Sequence, residues 1–266
     1  MKSTTRSREV VQSGIALGGL ILMIVSVVWL ELQPRVERIA SKPSTPTSTT
    51  PIARVVIDAG HGGKDSGAMR NGVMEKDLTL DVALRLQRRL QASSLATIMT
   101  RSGDEFISLA GRAAAANREN DCLFVSIHFD EGNRAAATGV QTFYAAHQIQ
   151  NSSWPTWLPF LHAISGDAPN LKSQSLAGFV QDSLVAKTQA FNRGTKAEQF
   201  YVVSNVRHPA VLIEGGFLTN DDEINRLATE AYREQLAGAI ADGIVRYCSL
   251  TSQQATTVAS RSDTSE

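Results

Sequence analysis

Between Arg54 and Tyr247 the sequence switches repeatedly between two periodicities, and this alternation constrains the fold more than any other feature. The runs "RVVID", "ATIMT", "CLFVSIH", "GVQTFYA", "FYVV" and "AVLIE" are short and rich in β-branched or aromatic residues. Several are apolar throughout, as strands buried on both faces are. Helical patterns lie between them. Leu78, Val82, Leu86 and Leu90 recur every four residues in "DLTLDVALRLQRRL" and make one apolar stripe, with Arg85, Arg88 and Arg89 outside it. A second helix is expected after Ser108, which suits an N-cap before "LAGRAAAAN". Two more are expected over "SLAGFVQDSLVAKTQA" and "EAYREQLAGAIADGIVRY". Strands alternating with helices of this length predict an α/β domain with a mixed, mainly parallel sheet flanked by helices. In such a fold the chemistry belongs at the carboxyl ends of the strands.

The flanks have a different character. Residues 14–30, "GIALGGLILMIVSVVWL", carry no charge, and at about 1.5 Å per residue they approach the roughly 30 Å hydrocarbon core of a bilayer. They are apolar on every face, which argues against a buried core helix. An uncleaved membrane anchor is the first reading and a cleaved signal segment the second. Lys2, Arg6 and Arg8 place residues 1–13 in the cytoplasm, so that everything after residue 31 would be extracytoplasmic, in the periplasm or cell wall. If the segment is cleaved, the protein is secreted. Residues 31–53 include the Pro, Ser and Thr-rich "SKPSTPTSTTPI" and form a tether. A single globular domain is expected over 54–248, followed by a polar, disordered tail over 249–266.

Charge and cysteine content exclude rather than identify. Twenty-six basic residues balance twenty-six acidic ones, so no global field would hold the chain on nucleic acid. Two cysteines are too few for a disulfide framework, and Cys122 lies inside an apolar run, as a buried inert thiol does.

Polar residues at strand ends form a small set. His61 follows the first apolar run in "VVIDAGHGG", His128 ends "CLFVSIH", and Glu214 ends "AVLIE". A charge at the lip of a buried strand costs several kcal/mol unless compensated, and a metal ion is a strong compensator. Glu75, in "MEKDL" before the first helix, completes the set. Two histidines and a carboxylate with an open fourth position constitute a catalytic zinc shell, and a second carboxylate nearby can act as base. The four are separated by 14, 53 and 86 residues, so only the fold can bring them together. Each histidine taken singly also fits a hydrogen-bonded structural residue. The glycines of "GHGG" lack both the Walker lysine spacing and GxGxxG, so the loop does not cradle phosphate.

The stretches "VIDAGHGGKDSGA", "EKDLTLDVALRL", "SIH" and "VLIEGGFLTN" resemble, in this order, the zinc-dependent N-acetylmuramoyl-L-alanine amidases of bacterial cell walls, often called amidase type 3. "TRSGDEFISLAGRAAAAN", "NRG" at Asn192 to Gly194 and "FYVV" add to the resemblance, which covers nearly all of 54–247. It implies that His61, Glu75 and His128 bind one Zn2+, that Glu214 is the catalytic carboxylate, and that peptidoglycan is the substrate. The bond it implies is the amide joining N-acetylmuramic acid to L-alanine. Two other functions stand beside this one: a membrane-tethered wall-binding protein without turnover, and a zinc peptidase cutting within the stem peptide.

Departures from the family pattern are local. Phe129 stands where a small residue is usual and is expected to narrow or reshape the mouth of the site. The segment from about His147 to Gln174, with Trp154, Trp157 and His162, matches no family motif. A wall-binding loop, a lid and an autoinhibitory plug removed by an activator protein all suit it. Asp58 and Asp65 flank the His61 loop, where either would orient that histidine or cap the turn. Arg193 suits either an anionic wall peptide or a surface salt bridge, while Arg101 and Arg112 are expected to be structural.

Overall fold

The structure is a computed structural model and describes residues 54–130, 136–148 and 170–262, the last nine of them by backbone alone. Six strands form the main sheet: β1 (Arg54–Ala59), β4 (Ala96–Met99), β5 (Cys122–Asp130), β6 (Val140–Tyr144), β7 (Asn192–Ala197) and β8 (Ala210–Phe217). A two-stranded ribbon of β2 (Met69–Arg70) and β3 (Val73–Met74) stands apart from it. The helices are α1 (Glu75–Ala92), α2 (Leu109–Asn117), α3 (Leu171–Thr188), the single turn α4 (Tyr201–Ser204), α5 (Asp221–Leu227) and α6 (Glu230–Ser262).

The sheet order is β4-β1-β5-β8-β6-β7. The first four strands are mutually parallel. β6 runs antiparallel to β8 and parallel to the edge strand β7, which gives the mixed, mainly parallel sheet expected from the alternation. Burial explains the unbroken apolar runs. On β1, Val55, Ile57 and Ala59 face one helical layer, in a cluster with Leu78, Val82, Leu86 and Leu90 of α1, while Val56 faces the other, with Ala113 and Ala116 of α2. Strands covered on both faces have no polar side to show. α3 and α6 complete the first layer through Leu176, Val180, Leu236, Ile240 and Ile244. Ser108 caps α2 by accepting a hydrogen bond from the Gly111 amide at 3.1 Å, as its position suggested. Burial pushes the Cys122 thiol up to about 12, in keeping with an inert core residue.

Two expectations need correction. "FYVV" is not a strand: Tyr201–Ser204 form α4, with Val202 and Val203 buried against the second layer. A four-residue apolar run has the same period in either state, and only its tertiary surroundings decide. The strand beside β6 is instead "NRGTKA", a largely exposed edge with no apolar run to betray it. The last helix also continues past Cys248, to Ser262, where a disordered tail was expected. No glycine or proline interrupts that stretch, and the Thr251 and Ser252 hydroxyls donate back to carbonyls of the preceding turn. The apolar segment 14–30 and the tether 31–53 lie outside the described residues. Among the described residues no helix is long and apolar enough to cross a membrane.

Candidate metal centre

β1, β5 and β8 end side by side, and the sequence places a polar side chain at each end. His61 sits just beyond β1 on a left-handed backbone, φ 59°. His128 lies near the end of β5, directly opposite Glu214 of β8 in the strand register. Glu75 is the first residue of α1, so the ribbon before it and the helix after it fix its position.

Three of the four converge. His61 Nε2 and His128 Nδ1 each lie 3.0 Å from Glu75 Oε1, and 3.1 Å from each other. Bonds of about 2.0–2.1 Å to nitrogen and oxygen at tetrahedral angles would set donor atoms about 3.3 Å apart, so this triangle fits one face of a zinc shell. Two imidazoles and a carboxylate are also the donor types zinc takes in open, catalytic sites. His61, Glu75 and His128 form the one group of this kind among the described residues.

Each donor is oriented by a second contact. Asp65 Oδ1 lies 3.0 Å from His61 Nδ1 and also accepts from the Gly67 amide, so it turns Nε2 toward the cluster. Of the two candidates, Asp65 is therefore the one that orients His61. Asp58 is fully buried elsewhere and accepts from Thr100, Arg112 and Ser126, each at 2.7 Å. Glu75 Oε1 accepts from the Phe129 amide at 3.0 Å and Oε2 from the Ala68 amide at 2.9 Å. The glycines make room for this crowding. A Cβ on Gly60 would lie 2.3 Å from His128 Cε1, and one on Gly67 would lie 2.4 Å from Glu75 Oε2.

Electrostatics set Glu75 and Glu214 apart. Burial pushes the Glu75 carboxyl upward, but hydrogen bonds from His128 and His61 outweigh it and hold the group well below the usual carboxylate range. Burial also pulls the His61 imidazole down, and Glu75 and Asp65 together more than reverse this. Glu214 has no such partner. Burial, and then the charges of Glu75 and Asp130, push its pKa well above the ordinary value. The residue is partly exposed as a whole, yet its Oε2 is enclosed and has no hydrogen-bond partner. An enclosed carboxylate oxygen without a partner, beside a triangle of metal donors, fits a site built to hold a cation and a water.

The other side chains singled out by the sequence have places of their own. Phe129 does not narrow the mouth: its ring is buried in the core against Gly215, because strand alternation sends it to the face away from His128. Arg193 forms no salt bridge among the described residues and lies over the Phe217 ring, 4.8 Å from its centroid. His147 stands outside the metal cluster, and His162 and both tryptophans of that segment lie outside the described residues. Arg101 and Arg112 are structural, as expected, and what they hold is the His61 loop itself.

An α/β sandwich whose strand ends gather two imidazoles, one liganding-type carboxylate and a second, unpartnered carboxylate defines the class of metal-dependent hydrolases. Comparison with known proteins narrows the class. The family model described as N-acetylmuramoyl-L-alanine amidase matches residues 55–246, and the chain belongs to this family, amidase type 3, whose members hydrolyse peptidoglycan. The amidase AmiA of Escherichia coli (strain K12) is 30% identical over 271 residues, spanning 93% of each chain. An uncharacterised Bacillus subtilis protein, YqiI, is 36% identical over 193 residues, 73% of this chain and 84% of its own. The crystal structure of an N-acetylmuramoyl-L-alanine amidase from Clostridium difficile 630 superposes with a TM-score of 0.63 at 33% identity, covering 74% of this chain and 97% of that one.

Proposed function

We propose that this amidase works with one zinc ion held by His61, Glu75 and His128, and that Glu214 is its catalytic base and acid. The observation that carries the reading is the triangle of donor atoms 3.0–3.1 Å apart beside the enclosed, unpartnered Glu214 Oε2. Zinc, when bound, lowers the pKa of a water from about 15.7 to about 7, roughly 12 kcal/mol of help in making hydroxide, and polarises the scissile carbonyl.

The rest of the mechanism belongs to the chain. Glu214 Oε2 takes the proton of the attacking water, holds it in a site where burial favours the neutral acid, and delivers it to the departing amine nitrogen. The raised pKa suits the second half of this cycle, and a nearby cation would offset it in the first. Asp65 keeps His61 in the tautomer that presents Nε2. The amides of Ala68 and Phe129 keep Glu75 an anion of fixed orientation. The bond broken is the lactyl amide between N-acetylmuramic acid and L-alanine, which releases a glycan strand and an intact stem peptide.

Digestion of purified sacculi followed by mass spectrometry tests this. Stem peptides with a free L-alanine amino terminus are expected. Truncated peptides would point to a zinc peptidase, and no release in the presence of zinc would point to a wall-binding protein without turnover. We further propose that residues 14–30 anchor the chain in the membrane with the catalytic domain extracytoplasmic. Their length and lack of charge support this, and cleavage of the segment would give a secreted enzyme instead. An activator protein acting on the segment between His147 and Gln174 belongs to the same reading.

A further inference from the structure

We propose that Arg101 and Arg112 are positioning residues of the metal site, which hold the His61 loop and the Glu75 helix in the liganding arrangement before any metal arrives. The proposal rests on His61 and Glu75 being ligands, as argued above.

Both arginines are almost fully buried, at 2% and 3% exposure. Neither is spent on a surface ion pair. Arg112 donates from Nη1 to the Ala59 carbonyl and to Asp58, and from Nη2 to the His61 carbonyl. Arg101 donates from Nε to the Ala59 carbonyl at 2.9 Å and from Nη2 to the Gly60 carbonyl at 2.8 Å. Three successive carbonyls, Ala59, Gly60 and His61, are thus all held by guanidinium groups.

Arg101 does something more. Its Nη2 also reaches the Lys76 carbonyl at 2.8 Å and Thr79 Oγ1 at 3.0 Å, both in the first turns of α1, which begins with Glu75. Thr79 in turn donates to the Gly60 carbonyl at 2.8 Å. One guanidinium therefore ties the loop that carries one ligand to the helix that carries another. Among the described residues no carboxylate lies within ion-pairing distance of Arg101, so backbone carbonyls and a hydroxyl are its partners. Burying a cation this way is costly, and the rigid planar fork of arginine is the side chain able to meet several carbonyls at once.

The left-handed backbone of His61 is the strained element the clamp controls. A residue with a Cβ pays to sit at φ 59° and stays there only where its surroundings over-determine it. Released from the guanidinium groups, the loop would relax toward ordinary backbone, turn the imidazole away from Glu75 and His128, and have to be reordered each time zinc binds.

The test is the zinc dissociation constant of the full chain, measured by competition with a chelator at a temperature where circular dichroism shows each variant folded. R101K and R112K, which keep the charge and lose the fork, are expected to bind zinc about 10–100-fold more weakly, the range for residues that orient metal ligands. Their cobalt-substituted forms should show altered d–d bands. Leu236→Ala, a buried core position on α6 that makes no hydrogen bond to the loop, serves as a control that loses stability and keeps wild-type zinc affinity. If a lysine variant does not fold, the milder Thr79→Val, which cuts the same link between α1 and the loop, is expected to weaken zinc binding in the same direction. Wild-type affinity in the folded arginine or threonine variants would overturn the clamp. Failure of the wild-type chain itself to bind zinc would overturn the metal-site reading instead.

Discussion

At the scale of single residues, Glu214 carries the sharpest consequences. Its carboxyl is neutral in the metal-free protein to a higher pH than in the unfolded chain, because burial and the charges of Glu75 and Asp130 disfavour the anion. Between the ordinary carboxylate value and the raised one, the folded state binds more protons than the unfolded state. The contribution of this group to stability therefore falls as pH rises through that window. Glu214→Gln removes the penalty. The zinc-free variant should melt higher than zinc-free wild type at pH 7, and the advantage should vanish near pH 4, which calorimetry at the two pH values checks. The same variant should keep zinc and lose about 10²–10⁴-fold in turnover, read from release of stem peptides. Asp65→Ala addresses a different step: with His61 no longer oriented, zinc affinity should fall about 10–100-fold in a chelator competition. His61, His128 and Glu214 were legible because each interrupts an apolar run, and Glu75 because of its place in a family motif. The roles of Arg101 and Arg112 were not. A guanidinium that binds backbone carbonyls 41 to 51 residues away leaves no side-chain pattern in the sequence.

At the scale of elements, legibility tracked length. The four-residue repeat of α1 and the capping serine of α2 were readable because several positions had to agree, and the buried faces in the structure are those the repeat singled out. Short pieces were not. "FYVV" carries strand-forming residues and folds as a helical turn, since packing Val202 and Val203 into the second layer outweighs local preference. β7 escaped because an exposed edge strand has no apolar face to bury and is free to be polar. The α2 cap allows a quantitative test. Ser108 satisfies one otherwise unpaired amide, so Ser108→Ala should cost about 1 kcal/mol in urea unfolding with the m-value unchanged. Because α2 also carries Arg112, a larger loss accompanied by weaker zinc binding would mean that the cap and the clamp act together.

At the scale of the whole molecule, the question is where the amidase domain works. The substrate is a polymer fixed outside the cell, whereas the proposed anchor would be fixed in the membrane, so the proposed tether would decide how far the active site can reach. Residues 31–53 are rich in proline, serine and threonine, a composition that favours extended backbone at about 3.1 Å per residue, for a span of about 70 Å when drawn out. An anchored enzyme would then hydrolyse wall close to the membrane and leave more distant layers intact, while a secreted one would not discriminate. The two cases separate experimentally. A chain beginning at residue 54 should be soluble, bind zinc as the full chain does and digest isolated sacculi at the same rate per molecule, because the three proposed ligands and Glu214, with the hydrogen bonds that orient them among the described residues, all lie within 54–262. In cells the full chain should sediment with membranes at its full mass and resist extraction by high salt. A shorter, soluble species in the same fractionation would show that the segment is cleaved. Full-length protein washed off by salt would show that 14–30 does not enter the bilayer at all. Shortening the tether by half should leave the rate on isolated sacculi unchanged and reduce the rate in intact cells, a contrast that only a fixed anchor point produces.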